Sequence, residues 1–240
     1  MNPSQHIVKS YDEELQRLTG EIVGMGELAR RQLIAAIAAV ENRDNEAARK
    51  VPDDDDLIDQ LEQDVSRDVV QLLVVRSPMA RDLREVVAAL RIASDYERIG
   101  DYAANIAKRA LVLNESPLVK PVRILPRLAQ VAGELLTEVT AAYRDRDADR
   151  ALAAWHQDEH LDALYTGLFR ELLTYMMEDP RTITPCTHLL FMAKNVERIG
   201  DHATNIAENV YFIVHGQMIP ADRRKADTSA SINPELPAAD

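Results

Sequence analysis

The sequence predicts an all-α protein made of two tandem, pseudo-symmetric three-helix bundles, six long helices in total. Apolar residues recur every three to four positions, and no segment alternates with the period of two that a strand requires. Glycine is scarce, with 8 residues in 240, whereas the helix-favouring Ala, Leu, Glu and Arg are abundant. The pentapeptide Glu-Arg-Ile-Gly-Asp occurs twice, 100 residues apart, and each copy continues into Asn-Ile-Ala, which indicates a duplicated unit.

The first half of the chain carries signals for three helices, predicted at residues 11–42, 53–75 and 79–113. The first has a continuous apolar stripe along one face. A break at Arg43-Asp44 and at Pro52 separates it from the second helix, and Pro78 ends the second, because proline removes a backbone donor and restricts the preceding residue.

The second half repeats this order after a proline-containing join at residues 114–126. Its break at Arg146-Asp147 lies 103 residues after Arg43-Asp44, and its turn lies at Asp179-Pro180. The three predicted helices end near residues 143, 177 and 214. The predicted domains are a first repeat at residues 1–114, a second repeat at residues 115–218 and a flexible polar tail at residues 219–240.

The composition of the chain argues against several classes of function. A net charge of −12 argues against a nucleic-acid binder with a broad basic face and against an anchor for anionic membranes. The single cysteine, Cys186, excludes a disulfide framework within the chain. The longest uninterrupted apolar run, residues 33–40, is far shorter than the ~18 residues of a membrane span. We therefore expect a soluble, cytoplasmic protein without direct membrane insertion.

The repeated pentapeptide places acids on the apolar side of the third and sixth helices. Glu97, Asp101 and Asn105 are spaced by four residues, so each step rotates by only about 40° and all three share one helix face. That face continues the apolar stripe. Glu197, Asp201 and Asn205 repeat the arrangement, and partly buried acids of this kind need partners.

Folding each helical hairpin about its turn brings two further acidic pairs opposite these residues. The first hairpin is predicted to form the first acidic quartet, Asp55, Asp59, Glu97 and Asp101. The second hairpin is predicted to form the second acidic quartet, Asp158, Asp162, Glu197 and Asp201. The run of aspartates at residues 53–56 leaves the first pair open by one residue. No cation is expected in the facing positions of either quartet.

Four carboxylates at this spacing need charge compensation. Two like charges about 5 Å apart repel by roughly 3 kcal/mol at an effective dielectric near 20. Raised pKa values, nearby arginines or bound metal cations would each relieve the repulsion. Arg98 and Arg198, with Asn105 and Asn205, are predicted to brace the rims. A metal site and a salt-bridged structural network both remain open, and an all-oxygen ligand set suits Mg²⁺, Mn²⁺, Fe or Ca²⁺ better than zinc.

Known catalytic signatures do not account for these acids. Di-iron oxidases of the helical-bundle type use Glu-x-x-His, and none of the six histidines has an acid three positions before it. The sequence has no glycine-rich phosphate loop, hydrolase elbow or kinase signature. We predict a protein that is not an enzyme, with an unrecognised carboxylate-site metallohydrolase as the alternative.

The sequence resembles the PhoU family of phosphate regulators. The resemblance is carried by the twin Glu-Arg-Ile-Gly-Asp-x-x-x-Asn-Ile segments, by Asp158 and Asp162, by Leu-Thr-Tyr-Met-Met-Glu-Asp at residues 173–179 and by residues 211–216. It extends to about Met218. It implies a pair of three-helix bundles, a cytoplasmic and often dimeric protein, and a negative regulator of phosphate uptake and of the phosphate-starvation response.

The resemblance also implies partners and ligands. Family members are thought to link the ATPase subunit of the phosphate transporter to a phosphate-sensing histidine kinase. They bind metal clusters through Glu/Asp-x-x-x-Asp motifs, which correspond here to the pairs within both acidic quartets. The expected metal is Mg, Mn or Fe. The hypothesis for mechanism is that bound cations rigidify each hairpin and shape a docking face.

Overall fold

Six long helices form the described part of the protein. The computed structural model describes residues 3–117 and 119–220, with side chains from residue 11 onward. The helices are α1 (Pro3–Glu41), α2 (Asn45–Arg76), α3 (Arg81–Leu113), α4 (Leu125–Asp145), α5 (Ala148–Glu178) and α6 (Ile183–His215). Short 3₁₀ helices at Lys120–Ile124 and Pro180–Thr182 precede α4 and α6. No strand occurs among the described residues, so the all-α prediction of two tandem three-helix bundles is confirmed. The predicted tail lies outside the described residues from residue 221 onward.

The breaks between the first two helices of each repeat have the same local conformation. Arg43 and Arg146 both adopt the left-handed conformation, with φ of 53° and 52°. The next residue, Asp44 or Asp147, donates its N–H to a carbonyl five residues earlier, which closes the end of the preceding helix. The same aspartates cap the following helix, since the Asp44 side chain accepts from two backbone N–H groups and that of Asp147 from one.

Two predicted helix starts were wrong. Helix α1 begins at Pro3 and not near residue 11, because proline is well tolerated in the first turn of a helix. Helix α2 begins at Asn45 and not at residue 53, so that Pro52 lies inside the helix. The missing N–H of Pro52 costs one helical hydrogen bond, but the Asp44 cap and the buried side chains of Ala48 and Val51 hold the first turns in place.

The two repeats pack against each other through their third helices. Helices α3 and α6, which carry the two pentapeptides, contact each other along their length, and α1 contacts α4. One continuous core of buried side chains runs through both bundles. Fully buried Tyr96 of α3 illustrates the junction, because its hydroxyl forms a 2.7 Å hydrogen bond with Thr140 on α4.

Candidate functional site

The acids of the first quartet lie on α2 and α3, which pack against each other. Burial, followed by the negative charges of Asp101, Asp59 and Glu97, raises the pKa of Asp55 to about 6. Burial is also the largest cause of the raised pKa of Glu97, followed by the charge of Asp101. The charges of Asp59, Glu97 and Asp101 thus act on Asp55 from both helices.

The glycine of each pentapeptide allows the opposing helix to approach. A methyl group added to Gly100 would lie 2.4 Å from Asp55 Oδ1 and 2.9 Å from Ile58 Cδ1. The same change at Gly200 would place it 2.5 Å from Asp158 Oδ1 and 2.4 Å from Leu161 Cδ2. Because these distances are shorter than van der Waals contact, only glycine lets the aspartate carboxylates reach these positions.

The second acidic quartet is more deeply buried than the first. Asp158, Asp162 and Glu197 are 1%, 2% and 3% exposed, and Asp201 is half-buried. In the first quartet Asp59 is exposed and the other three acids are half-buried. The two quartets therefore occupy equivalent places in the repeats but differ in access to water.

A cation lies against the second quartet, on the same helix as Glu197 and not in a facing position of α5. Lys194 of α6 places its ammonium 2.7 Å from Glu197 Oε1, and the same ammonium lies 5.0 Å from the centre of the Tyr165 ring. In the first repeat the residue 100 positions earlier is Ser94. Lys194 lies one helical turn before Glu197, and this i, i+3 spacing was the available sequence signal.

The predicted rim residues have different positions. Arg98 contacts the first quartet, with Nη1 donating to Asp101 Oδ2 at 3.1 Å and Nε 3.4 Å from Glu97 Oε2. Asn105 and Arg198 are exposed. Asn205 donates its side-chain N–H to Asp95 Oδ1 of the first repeat, 3.2 Å away, so it contributes to the junction between the repeats. A further junction contact joins the same oxygen of Asp95 to His202 Nδ1, at 2.8 Å.

Sequence reasoning did not assign two further residues of the first quartet's surroundings. Gln32 of α1 is 4% exposed, and its Oε1 lies 3.1 Å from the position that a Gly100 Cβ would take. Nothing in the local pattern of α1 identifies it, because only the packing of α1 onto α3 brings it there. Glu62 follows Asp55 and Asp59 on the same face of α2, and its charge contributes to the raised pKa of Glu97.

The donor chemistry of the first quartet fits a hard metal cation, although its side chains do not converge on one point. Among the described residues, no three carboxylate, imidazole or thiol groups are grouped so that they could hold a metal ion. All donors of this quartet are oxygens, and Asp55 Oδ1 is buried without a hydrogen-bond partner. Binding would require new side-chain rotamers, which the exposed Asp59 and half-buried Asp101 have room to adopt.

None of the helices in the described part of the chain combines the length and the apolar character needed to cross a membrane. Cys186 is buried, and burial raises the pKa of its thiol, which makes it a packing residue.

Comparison with known proteins gives matches over nearly the whole chain. Residues 22–110 and 125–210 each match the PhoU domain. The "Phosphate-specific transport system accessory protein PhoU homolog" of Xylella fastidiosa strain 9a5c is 54% identical over 228 residues, which cover 95% of this chain and 96% of that protein. The protein of the same description from Caulobacter vibrioides strain NA1000 is 48% identical, over 93% of this chain and 98% of that protein.

Solved structures of similar proteins have the same fold. The crystal structure of PhoU from Pseudomonas aeruginosa superposes with a TM-score of 0.83 at 35% identity and covers 86% of this chain and 100% of that one. The phosphate transport system regulatory protein PhoU from Streptococcus pneumoniae gives a TM-score of 0.82 at 28% identity, over 88% of this chain and 99% of that one.

Proposed function

The chain belongs to the PhoU family, and from this membership we propose that it regulates phosphate uptake as an accessory protein of the phosphate-specific transport system. The observation that carries the proposal is the 54% identity to a relative of that name over 95% of this chain and 96% of that protein. The proposed action is negative, so that uptake and the starvation response are restrained when phosphate is plentiful.

A genetic test addresses this function directly. In a bacterium that lacks its own family member, a reporter of phosphate starvation should stay on in phosphate-rich medium. Expression of this chain should switch the reporter off. A reporter that stays on, despite normal levels of folded protein, would contradict the proposed regulation.

We propose two cytoplasmic partners, the ATPase subunit of the phosphate transporter and a phosphate-sensing histidine kinase, which a homodimer of this protein would link. The helical surface and the net charge of −12 are consistent with docking to proteins and not to nucleic acid. Light scattering on the purified protein tests the dimer. Co-purification with each candidate partner tests the link, and failure to retain either partner would contradict the proposed link.

We further propose that the acidic quartets bind Mg, Mn or Fe and that the cation stiffens the hairpins that carry them. Support comes from the all-oxygen donor set and from the buried, unpartnered Asp55 Oδ1. Asp55, Asp59, Glu97 and Asp101 would hold the ion in the first hairpin, and Asp158, Asp162, Glu197 and Asp201 in the second. The ion would supply positive charge that relieves the carboxylate repulsion.

Replacing Glu97, Asp101, Glu197 and Asp201 together by alanine should lower metal content and partner affinity. Elemental analysis of protein purified without added metal measures the first, and a pull-down of the transporter ATPase with and without chelator measures the second. Full metal content in the quadruple variant would refute the ligand assignment. Unchanged partner binding after chelation would favour an adaptor that works without metal.

Catalysis forms no part of the proposed function. The relatives carry accessory and regulatory names. The metallohydrolase alternative is tested by assaying phosphate-ester hydrolysis with Mg²⁺, Mn²⁺ or Fe²⁺. Turnover that disappears in the quadruple variant would establish it.

A further inference from the structure

We propose that the two acidic quartets balance their charge in different ways: the first takes a divalent cation from solution with Gln32 as an additional oxygen donor, whereas Lys194 is the built-in counter-ion of the second. The inference rests on the proposed metal binding and limits it to one of the two hairpins. It concerns residues outside the eight acids, and these residues differ between the repeats.

Gln32 provides the observation that is independent of the acids. Gln32 is 4% exposed, and neither its Oε1 nor its Nε2 has a hydrogen-bond partner among the described residues. Its Oε1 and Asp55 Oδ1 lie within 3.1 Å and 2.4 Å of the same point above Gly100. Because a buried amide without hydrogen bonds is costly, two buried oxygens this close to one point favour an electropositive ligand between them.

The first quartet also has an excess of negative charge. Glu62 adds a fifth carboxylate to the side of α2 that faces Glu97. The contacting cation is Arg98, whose side chain is 56% exposed and lies on the outer rim. Because a solvated guanidinium at the rim compensates little of the charge between the helices, the interior of this quartet is still available to a hard cation.

The second repeat differs at each equivalent position. An offset of 103 residues places Leu135 where the first repeat has Gln32 and Tyr165 where it has Glu62, and an offset of 100 places Lys194 where it has Ser94. Leu135 is buried and has a hydrocarbon side chain, so the second repeat has no side-chain amide oxygen at this position. The three replacements remove two oxygen donors and add one cation.

Lys194 contacts the second quartet through Glu197. Its ammonium is 2.7 Å from Glu197 Oε1, a charge-assisted distance, and the Tyr165 ring 5.0 Å away adds a cation–π contact. A fixed ammonium repels a divalent ion and competes for the same carboxylate. The near-complete burial of Asp158, Asp162 and Glu197 further restricts entry from solvent.

Manganese binding to the full-length protein tests the proposal. The protein is stripped with chelator and titrated with Mn²⁺, and stoichiometry is read by calorimetry and by elemental analysis after desalting. We expect the wild-type protein to bind Mn²⁺. The double variant Glu97→Gln with Asp101→Asn should lose this binding, and the double variant Glu197→Gln with Asp201→Asn should keep it. Gln32→Leu should weaken binding by about 10-fold or more.

Removing the ammonium should convert the second quartet into a metal site. Lys194→Ser, which copies the first repeat, is expected to bind additional Mn²⁺, whereas the control Lys50→Ser on the exposed surface of α2 should bind as the wild type does. Circular dichroism checks that each variant is folded. If Lys194→Ser does not fold, Lys194→Met keeps the aliphatic packing and removes the charge.

The outcomes separate this inference from the metal proposal on which it rests. Equal loss of Mn²⁺ from both double variants, or unchanged binding by Gln32→Leu, would overturn the division between the quartets and leave metal binding intact. Lack of extra Mn²⁺ in both Lys194 variants would overturn the role of Lys194. Lack of Mn²⁺ binding in the wild type and in every variant would overturn metal binding itself.

Discussion

Gly100 and Gly200 show how single residues determine the spacing within each hairpin. Both lie on helices, where glycine is unfavourable by about 0.5 to 1 kcal/mol relative to alanine. The hairpins nevertheless need them, because a Cβ at either position would overlap the carboxylate of Asp55 or Asp158. The pentapeptide thus combines two acids with the glycine that lets the opposing acid approach them.

Alanine at either glycine should destabilise the protein. Gly100→Ala and Gly200→Ala are each expected to lower the free energy of unfolding by about 1 to 3 kcal/mol, because the aspartate and its apolar neighbour must move. Gly167→Ala is the control, since nothing lies within 4 Å of its Cβ position and helix propensity should raise stability by up to about 1 kcal/mol. Urea denaturation measures all three. A Gly100→Ala variant as stable as Gly167→Ala would refute the close approach.

The pKa of Asp55 implies a pH dependence. This pKa is raised from 3.8 to about 6, so the folded protein binds more protons than the unfolded chain between these values, and the free energy of unfolding falls as pH rises through this window. Without metal, Asp55→Asn should therefore raise stability at pH 7 by on the order of 1 kcal/mol after solvent screening, with a smaller gain at pH 4.

Urea denaturation in chelator at both pH values measures this difference. Asp56→Asn, at an exposed neighbouring position, is the matched control. A gain that is the same at pH 4 and pH 7 would show that protonation of Asp55 is not its cause.

At the scale of the helices, the breaks within each repeat depend on the same two residue types. An arginine in the left-handed conformation ends one helix, and the following aspartate caps the next. This repeated pair could be recognised in the sequence at Arg43-Asp44 and Arg146-Asp147. The start of α2 could not be recognised, because proline is typical of the first turn of a helix and the capping hydrogen bonds of Asp44 are seen only in the structure.

Loss of a cap should weaken the helix that it begins. Asp44→Ala and Asp147→Ala are each expected to cost about 1 kcal/mol of stability, since backbone N–H groups lose their acceptor. Asparagine at either position should restore most of the lost stability, because its side-chain oxygen can also accept from the backbone N–H groups. Thermal unfolding measures the effect, and Asp54→Ala, at an exposed position on α2, is the control. Equal melting temperatures for Asp44→Ala and Asp54→Ala would rule out the capping role.

At the scale of the whole molecule, the repeats form one body with a shared core. A partly buried ion pair joins them: Arg146, in the break between α4 and α5, donates through Nη2 and Nε to both carboxylate oxygens of Glu85 on α3. Glu85 is 5% exposed, so its charge depends on this partner.

Removing the arginine should destabilise the junction. Arg146→Gly keeps the left-handed backbone without strain and is expected to cost about 2 to 3 kcal/mol, because Glu85 loses its bidentate partner. Adding Glu85→Gln to this variant should recover part of the lost stability, because it removes the buried carboxylate charge that Arg146 no longer compensates. Chemical denaturation of both single variants and the double variant gives the coupling energy. A coupling energy near zero would contradict a structural role for the pair.

The order of amino acids was enough to predict the helical class, the duplication and the equivalent breaks. These features follow from local periodicity and from the antiparallel geometry of two helices joined by a short turn. The surroundings of the quartets could not be predicted in this way. Gln32 comes from a third helix, and the ammonium of Lys194 lies over the Tyr165 ring only through the rotation of α6 against α5. Helix rotation and side-chain direction are set by packing across the whole core, which no local pattern records.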